Sequence, residues 1–266
     1  MSLMKKFLIV LVLISSLNFA QIQKRKLVWE ENFDSKTLDL TSWNFDIGNG
    51  CPDLCGWGNN ERQLYTETNH TLKDGNLIIH AKLENEVFTS TKITTKGKKQ
   101  FQYGRFEARA KLPVGHGLWP AFWMLGSNIS SVGWPKCGEI DIVEAVGNDP
   151  SWVSFALHGP EYSGGSNIGR SFINRDSLSS SFHRYGILWT PGEISWTFDG
   201  EVMQTVNKSF IGDKTWVFDT PQFILLNVAM GGTLGGEISP KFSSSKMYID
   251  WLRVSTIGQY GELIRE

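Results

Sequence analysis

Long apolar runs are missing from this sequence after residue 20, and no long stretch repeats its apolar residues with the 3.6-residue period of an amphipathic helix. The first absence argues against a chain that crosses a membrane, the second against a helical bundle. An excess of either charge is missing too: 26 Lys and Arg stand against 27 Asp and Glu, a formal net charge of −1. Nothing in that balance recruits nucleic acid or an anionic membrane surface. Cysteine is scarce and odd in number, at three, so at most one pair can bridge within the chain. No repeat, linker or low-complexity segment divides the 266 residues, a length that suits one large all-β domain.

The first residues, "MSLMKKFLIVLVLISSLNFAQ", combine a basic start at Lys5 and Lys6 with an apolar run from Phe7 to Ile14 and small or polar residues up to Ala20. This is the layout of a secretory signal, too short to span a membrane with its flanks. The expectation is a signal peptide over residues 1–20 and one domain over 21–266, secreted or periplasmic, with no membrane attachment after cleavage. Export permits disulfides. Cys51 and Cys55 lie in the tight loop "GCPDLCGWG", which a bridge would pin; the spacing leaves open whether it forms. Cys137 then reads as a small buried thiol.

Short strands and turns fill the rest. In "YGRFEARAKLP" Phe106, Ala108, Ala110 and Leu112 alternate with Arg105, Glu107, Arg109 and Lys111, the two-residue period of a strand with one buried face. "EISWTFDGEVMQTV" reads as a hairpin about Asp199-Gly200. "DGNLIIHAKL", "FHRYGILWT", "FILLNVAM" and "MYIDWLRV" are further strands. The pattern predicts one antiparallel sandwich or barrel. Residues 46–63, 113–118 and 159–170 are longer loops rich in Gly, Asn or aromatics, where ligand contacts are expected. Tryptophan is abundant, with 11 copies, and its flat face suits either a core or a platform for a flat ligand.

"GEIDIVEAVG" places Glu139, Asp141 and Glu144 among Ile140, Ile142 and Val143. In a regular strand Glu139 and Asp141 share a face while Glu144 joins the isoleucines. A lone buried carboxylate costs several kcal/mol, and one extra residue, a β-bulge, would return Glu144 to the face of the other two. Three carboxyls on one face repel, so at least one retains a proton near neutrality while another ionises. Such a pair across an open cleft is what glycoside hydrolysis requires. A solvated strand face or a Ca²⁺ site would also account for the acids alone.

"GEIDIVE" resembles the E-[ILV]-D-x-x-E signature of glycoside hydrolase family 16 in its bulged, laminarinase-like branch. "LVWEENFD", "YGRFEARAKLPVGHGLWPAFWMLG", "WPKCGEIDIVEAVG", "ALHGPEYSGGSNIG", "FHRYGILWTPGEISWTFDG" and "MYIDWLRV" are similar to the endo-β-1,3-glucanases of that family, in order, over residues 26–256. The resemblance implies a concanavalin A-like β-jelly-roll of two antiparallel sheets and retaining endo-hydrolysis of a laminarin-type β-glucan by a monomer. It implies Glu139 as nucleophile, Glu144 as acid/base and Asp141 as the residue that tunes Glu139. It also implies sugar contacts from Asn59, Arg105, Trp119, Trp123, Trp134 and His158. No cofactor serves catalysis, but a structural Ca²⁺ is expected, held by the carbonyls of Asn32 and Gly75 and the side chain of Asp250. Mixed-linkage glucan, agar and carrageenan are cleaved on the same scaffold, and a non-catalytic lectin would share it; the presence of all three acids speaks for an enzyme.

Overall fold

A computed structural model describes residues 25–265; the expected signal peptide, residues 1–20, lies outside them. Two sheets stack face to face, as expected for the jelly-roll sandwich. The ten-stranded sheet runs in the order Glu201–Asn207, Glu193–Phe198, His183–Thr190, Gly104–Lys111, Ser244–Ser255, Asn76–Glu84, Val87–Ser90 and Leu64–Tyr65. Leu27–Glu31 adds to Ser244–Ser255, and His70–Lys73 to Asn76–Glu84. The nine-stranded sheet runs Ile168–Ile173, Asp149–His158, Glu139–Val146, Leu118–Gly126, Gln222–Met230, Lys92–Thr94 and Asn44–Asp46; Lys99–Gln102 pairs beside Gln222–Met230, and Glu262–Arg265 pairs with Lys99–Gln102. Among the described residues only the short Leu64–Tyr65 strand pairs in parallel.

Alternation decides what lies between the sheets. Phe106, Ala108, Ala110 and Leu112 all enter the core, so the sequence pattern fixes the buried face of that strand. Ile194, Trp196 and Phe198 pack there from the hairpin. Its two turn residues, Asp199 and Gly200, have φ of 51° and 97°, the sign that a type I′ turn requires and glycine readily supplies. From the other sheet come Leu118, Phe122 and Met124, Val153, Phe155 and Leu157, and Ile224, Leu226 and Val228. The residues between them, Trp119, Ala121 and Trp123, Ser154, Ala156 and His158, and Leu225 and Asn227, therefore occupy the opposite face of the nine-stranded sheet. Cys51 and Cys55 are bridged, and Cys137 is a buried free thiol.

Candidate active site

The Glu139–Val146 strand carries the acids, and its pairing breaks where their spacing demands. Trp123 stands opposite Asp141 but Phe122 stands opposite Val143, so one residue is extra on the acidic strand. On the other side Asp141 pairs with Ala156 and Glu144 with Ser154, which spans three residues against two. This is a β-bulge. Ile140, Ile142, Val143 and Ala145 all enter the core, and Glu139, Asp141 and Glu144 share the outer face. On one side the partners opposite Asp141 and Glu144 are the small residues Ala156 and Ser154, and on the other they are Trp123 and Ala121.

Each carboxyl has its own donor. Trp134 Nε1 donates to Glu139 Oε2 at 2.9 Å, and Trp119 Nε1 donates to Glu144 Oε1 at 3.0 Å. His158 is directly opposite Glu139 in the ladder. Its Nδ1 accepts the Gly164 N–H at 3.0 Å, which leaves the ring proton on Nε2. That Nε2 lies 3.0 Å from Asp141 Oδ2 and 3.7 Å from Glu139 Oε1. The Asp141 contact is short enough for an ion pair, yet Oδ2 has no partner of good hydrogen-bond geometry among the described residues. The Trp196 indole holds the strand from below by donating to the Asp141 carbonyl at 2.8 Å.

All three acids are held above the usual carboxylate range. Burial is the main cause for each, and it pushes Glu139, Asp141 and Glu144 up to about 8; the neighbouring Asp141 adds to the rise in both glutamates. The three titrate as one coupled system that keeps at least one proton at neutral pH. The groups that favour an anion, His158 Nε2 and the Trp134 N–H, converge on Glu139. Burial also pushes the Cys137 thiol up to about 11, so it stays protonated beside Glu139.

The aromatic side chains sit as their parity requires. Trp119 and Trp123 point to the acid-bearing face, one on each side of Ala121. Trp134 is 48 % exposed, with its N–H committed and its ring face open. Asn59 is placed beside Glu61, to which its amide donates at 3.3 Å.

Arg105 does not belong to this site. It lies in the Gly104–Lys111 strand of the other sheet, buried and ion-paired with Glu107. Phe106 takes the core side, so its neighbour Arg105 must face outward from the sandwich, away from the carboxyls. A cation that does stand beside the acid-bearing face is Lys92, which the sequence did not single out. Its ammonium is 4.2 Å from the centroid of the Trp57 ring, 5.2 Å from that of Trp123, and 3.1 Å from Asp46 Oδ2. Every residue of the three-residue strand Lys92–Thr94 is buried, so no alternation could have marked it.

Residues 58–253 match the profile of glycosyl hydrolases family 16. The chain belongs to that family. It is a glycoside hydrolase on a jelly-roll scaffold. The solved laminarinase of Flavobacterium sp. UMI-01 superposes with a TM-score of 0.82 at 49 % identity, over 86 % of this chain and 99 % of that one. The laminarinase catalytic domain of Thermotoga maritima MSB8 superposes with a TM-score of 0.85 at 42 % identity, over 88 % and 99 %. A Rhodothermus marinus protein named beta-glucanase is 37 % identical over 247 residues, 86 % of this chain and 84 % of its own length.

Family 16 catalysis needs no cofactor. Among the described residues, Glu139, Asp141 and His158 form the one trio of metal-ligating side chains, with ligand atoms within 4.8 Å of each other. The Nε2 of His158 faces both carboxyls. The positions expected for a structural Ca²⁺ lie elsewhere, in the other sheet. Glu31 pairs with Leu252 and Leu77 with Ile249, which brings the chain around Asn32, Gly75 and Asp250 to one corner. A Cβ on Gly75 would lie 3.3 Å from Asp34 Oδ1, so a further carboxylate stands there. Carbonyl and carboxylate oxygens are the donor type calcium takes. Asp250, however, already pairs with Arg109, and any ion there shares that carboxylate with a guanidinium.

Proposed function

We propose that this chain cleaves internal β-1,3-glucosidic bonds of laminarin-type glucan with retention of configuration. The observation that carries the reading is the bulge, which returns Glu144 to the face of Glu139 and gives each glutamate a separate indole donor. Glu139 is the nucleophile, because the His158 Nε2 proton, the Trp134 N–H and a protonated Asp141 all favour its anion. Glu144 has only the Trp119 donor on one oxygen and keeps its proton on the other for the leaving glycosidic oxygen. In the first half-reaction Glu144 protonates that oxygen while Glu139 bonds to the anomeric carbon. In the second, Glu144 takes a proton from water, which displaces Glu139 from the sugar. Trp119, Trp123 and Trp134 offer flat faces to the C–H faces of pyranoses, which suits a neutral polysaccharide.

The reading includes export by the first 20 residues, action as a monomer, and a calcium ion at the Asn32, Gly75 and Asp250 corner that stabilises the sandwich and takes no part in chemistry. A product profile from laminarin, lichenan, agarose and carrageenan tests the function. Laminarin should fall rapidly to short oligosaccharides that appear first as β-anomers, with slower cleavage of lichenan. Cleavage of agarose or carrageenan with laminarin untouched would overturn the assignment.

A further inference from the structure

A directed chain of hydrogen bonds links the loop before Leu64 to the floor of the acid-bearing face. Trp123 Nε1 donates to Asn227 Oδ1 at 2.7 Å, Asn227 Nδ2 donates to the Tyr65 hydroxyl at 3.1 Å, and that hydroxyl donates to Glu61 Oε2 at 3.3 Å. Glu61 also accepts the amides of Gln63 at 2.7 Å and Asn59 at 3.3 Å. The ends of the chain set its direction. An indole can only donate and an ionised carboxylate can only accept, whereas the hydroxyl and the amide between them could each turn either way. The indole takes the Asn227 oxygen at one end and Glu61 takes the Tyr65 hydrogen at the other, which leaves the hydroxyl free to accept from the Asn227 amide.

The surroundings show that this arrangement is built and not incidental. Tyr65 and Asn227 are buried, from strands of different sheets and 162 positions apart. The Glu61 segment is clamped to the end of the Gln222–Met230 strand: Arg62 N donates to the Met230 carbonyl at 2.8 Å, Met230 N donates to Gln63 Oε1 at 2.7 Å, and Thr233 N donates to the Asn59 carbonyl at 2.9 Å. Gly232 must lack a side chain there, because a Cβ would sit 2.8 Å from the Asn59 oxygen. Lys92 then lies over the Trp123 ring, 5.2 Å from its centroid. The indole is therefore held at its nitrogen and on one face, with Trp123 next to Asp141 in the ladder.

We propose that Glu61 is a positioning residue of this enzyme: through Tyr65 and Asn227 it fixes the plane of Trp123 as the platform for a sugar adjoining the one cleaved. The inference rests on the glucanase reading for its substrate, but the hydrogen-bond chain is a property of the fold. Without an acceptor at position 61, the Tyr65 hydrogen competes with the indole N–H for the Asn227 oxygen, and the indole nitrogen loses its acceptor for part of the time. The sugar then meets a platform of variable tilt, which weakens binding more than it slows chemistry.

The test is a double-mutant cycle on purified full-length protein with laminarin oligosaccharides, using Glu61→Leu, Tyr65→Phe and Trp123→Phe singly and in pairs, with Glu61→Gln as a separate conservative control. Each single variant of the cycle should raise KM about tenfold, the size of one lost hydrogen bond to a charged group, with kcat within about threefold. Pairs should be no worse than the poorer single, because all three cut the same chain. Glu61→Leu should also weaken the near-ultraviolet tryptophan circular dichroism, whereas Glu61→Gln keeps an oxygen that accepts the Tyr65 hydrogen and should hold both that signal and KM to within about threefold of wild type. Multiplicative KM effects in the pairs, or losses in kcat with KM unchanged, would overturn the proposal while leaving the glucanase reading intact. A wild type that cleaves no β-glucan would instead sink that reading. The tryptophan signal of Glu61→Leu would then still decide whether Glu61 positions the indole.

Discussion

His158 presents its Nε2 to Asp141 at 3.0 Å while its Nδ1 is occupied by the Gly164 N–H. The loop after the Asp149–His158 strand thus chooses the tautomer, and the tautomer chooses which carboxyls receive the proton-bearing nitrogen. Replacing His158 by Asn removes the ring nitrogen that faces both Asp141 and Glu139. Loss of that electrostatic contact should lower kcat/KM about tenfold, about 1.4 kcal/mol. The acidic limb of the kcat profile should move to higher pH, since Glu139 loses a group that favours its anion. Measured pH–rate curves for the variant check both, and an unmoved limb would remove His158 from the account.

The two glutamates can be told apart by chemistry. Glu139→Ser and Glu144→Ser should each lower turnover on laminarin at least about a thousandfold, because both act in one covalent cycle. Added azide should restore part of the rate on an activated aryl glycoside in each. In the Glu139 variant azide attacks from the nucleophile's face and yields the α-glycosyl azide. In the Glu144 variant it displaces Glu139 from the glycosyl-enzyme and yields the β-azide. Nuclear magnetic resonance of the products distinguishes them, and the reversed pattern would exchange the roles.

Much of this site was legible because strand parity is a strong constraint. The odd spacing of Glu144 required a bulge, and a bulge is present; the i, i+4 tryptophans share the acid-bearing face because Leu118, Phe122 and Met124 occupy the core. Parity does not say which sheet a strand joins. Arg105 reads as polar and outward-facing, and it is, but on the sheet that carries no catalytic acid. Lys92 gave no signal, since its strand is short and buried on both faces. The pairing of Tyr65 with Asn227 spans 162 positions and follows no local pattern. Asp250 was visible as an acid in an apolar strand, while its partner Arg109 was visible only as one of four polar residues on another.

Stability should fall as pH rises. Glu139, Asp141 and Glu144 have folded values near 8, above their unfolded values, so the folded chain binds more protons than the unfolded one between about pH 4 and 8. Their protonated forms are tolerated in the fold at the acid end of that window, and each proton lost on the way up is lost at the fold's expense. The melting temperature should drop at least about 5 °C from pH 5 to pH 8, and Asp141→Asn should flatten the slope. A melting temperature that climbs over this window in the wild type would contradict the raised values.

Chelation should act on stability alone. If calcium occupies the Asn32, Gly75 and Asp250 corner, EDTA should lower the melting temperature by a few degrees through loss of native-state binding, with initial rates at 25 °C unchanged. Arg109→Met should enlarge the effect by freeing the Asp250 carboxylate for the ion. Immediate loss of activity at a temperature where the chelated protein remains folded would place a metal in the chemistry and displace the carboxylate mechanism.

Deleting Val143 tests the bulge itself. The ladder skips one residue between Asp141 and Glu144 on both sides, so once Val143 is removed Ile142 takes its place opposite Phe122 on one side and, on the other, faces Phe155, which the bulge leaves without a ladder partner on this strand. Glu144 keeps its partners and its face, and Ala145 keeps Val153, because the change is absorbed inside the bulge. The cost is one core side chain, as Val143 is 1 % exposed, and about 2–4 kcal/mol of stability. The variant should fold, melt lower, and retain at least about a tenth of wild-type turnover, far more than either glutamate variant keeps. A well-folded deletion variant with no activity would show that the bulge does more than set phase: it would have to tilt Glu144 toward the leaving oxygen in a way that a regular strand cannot.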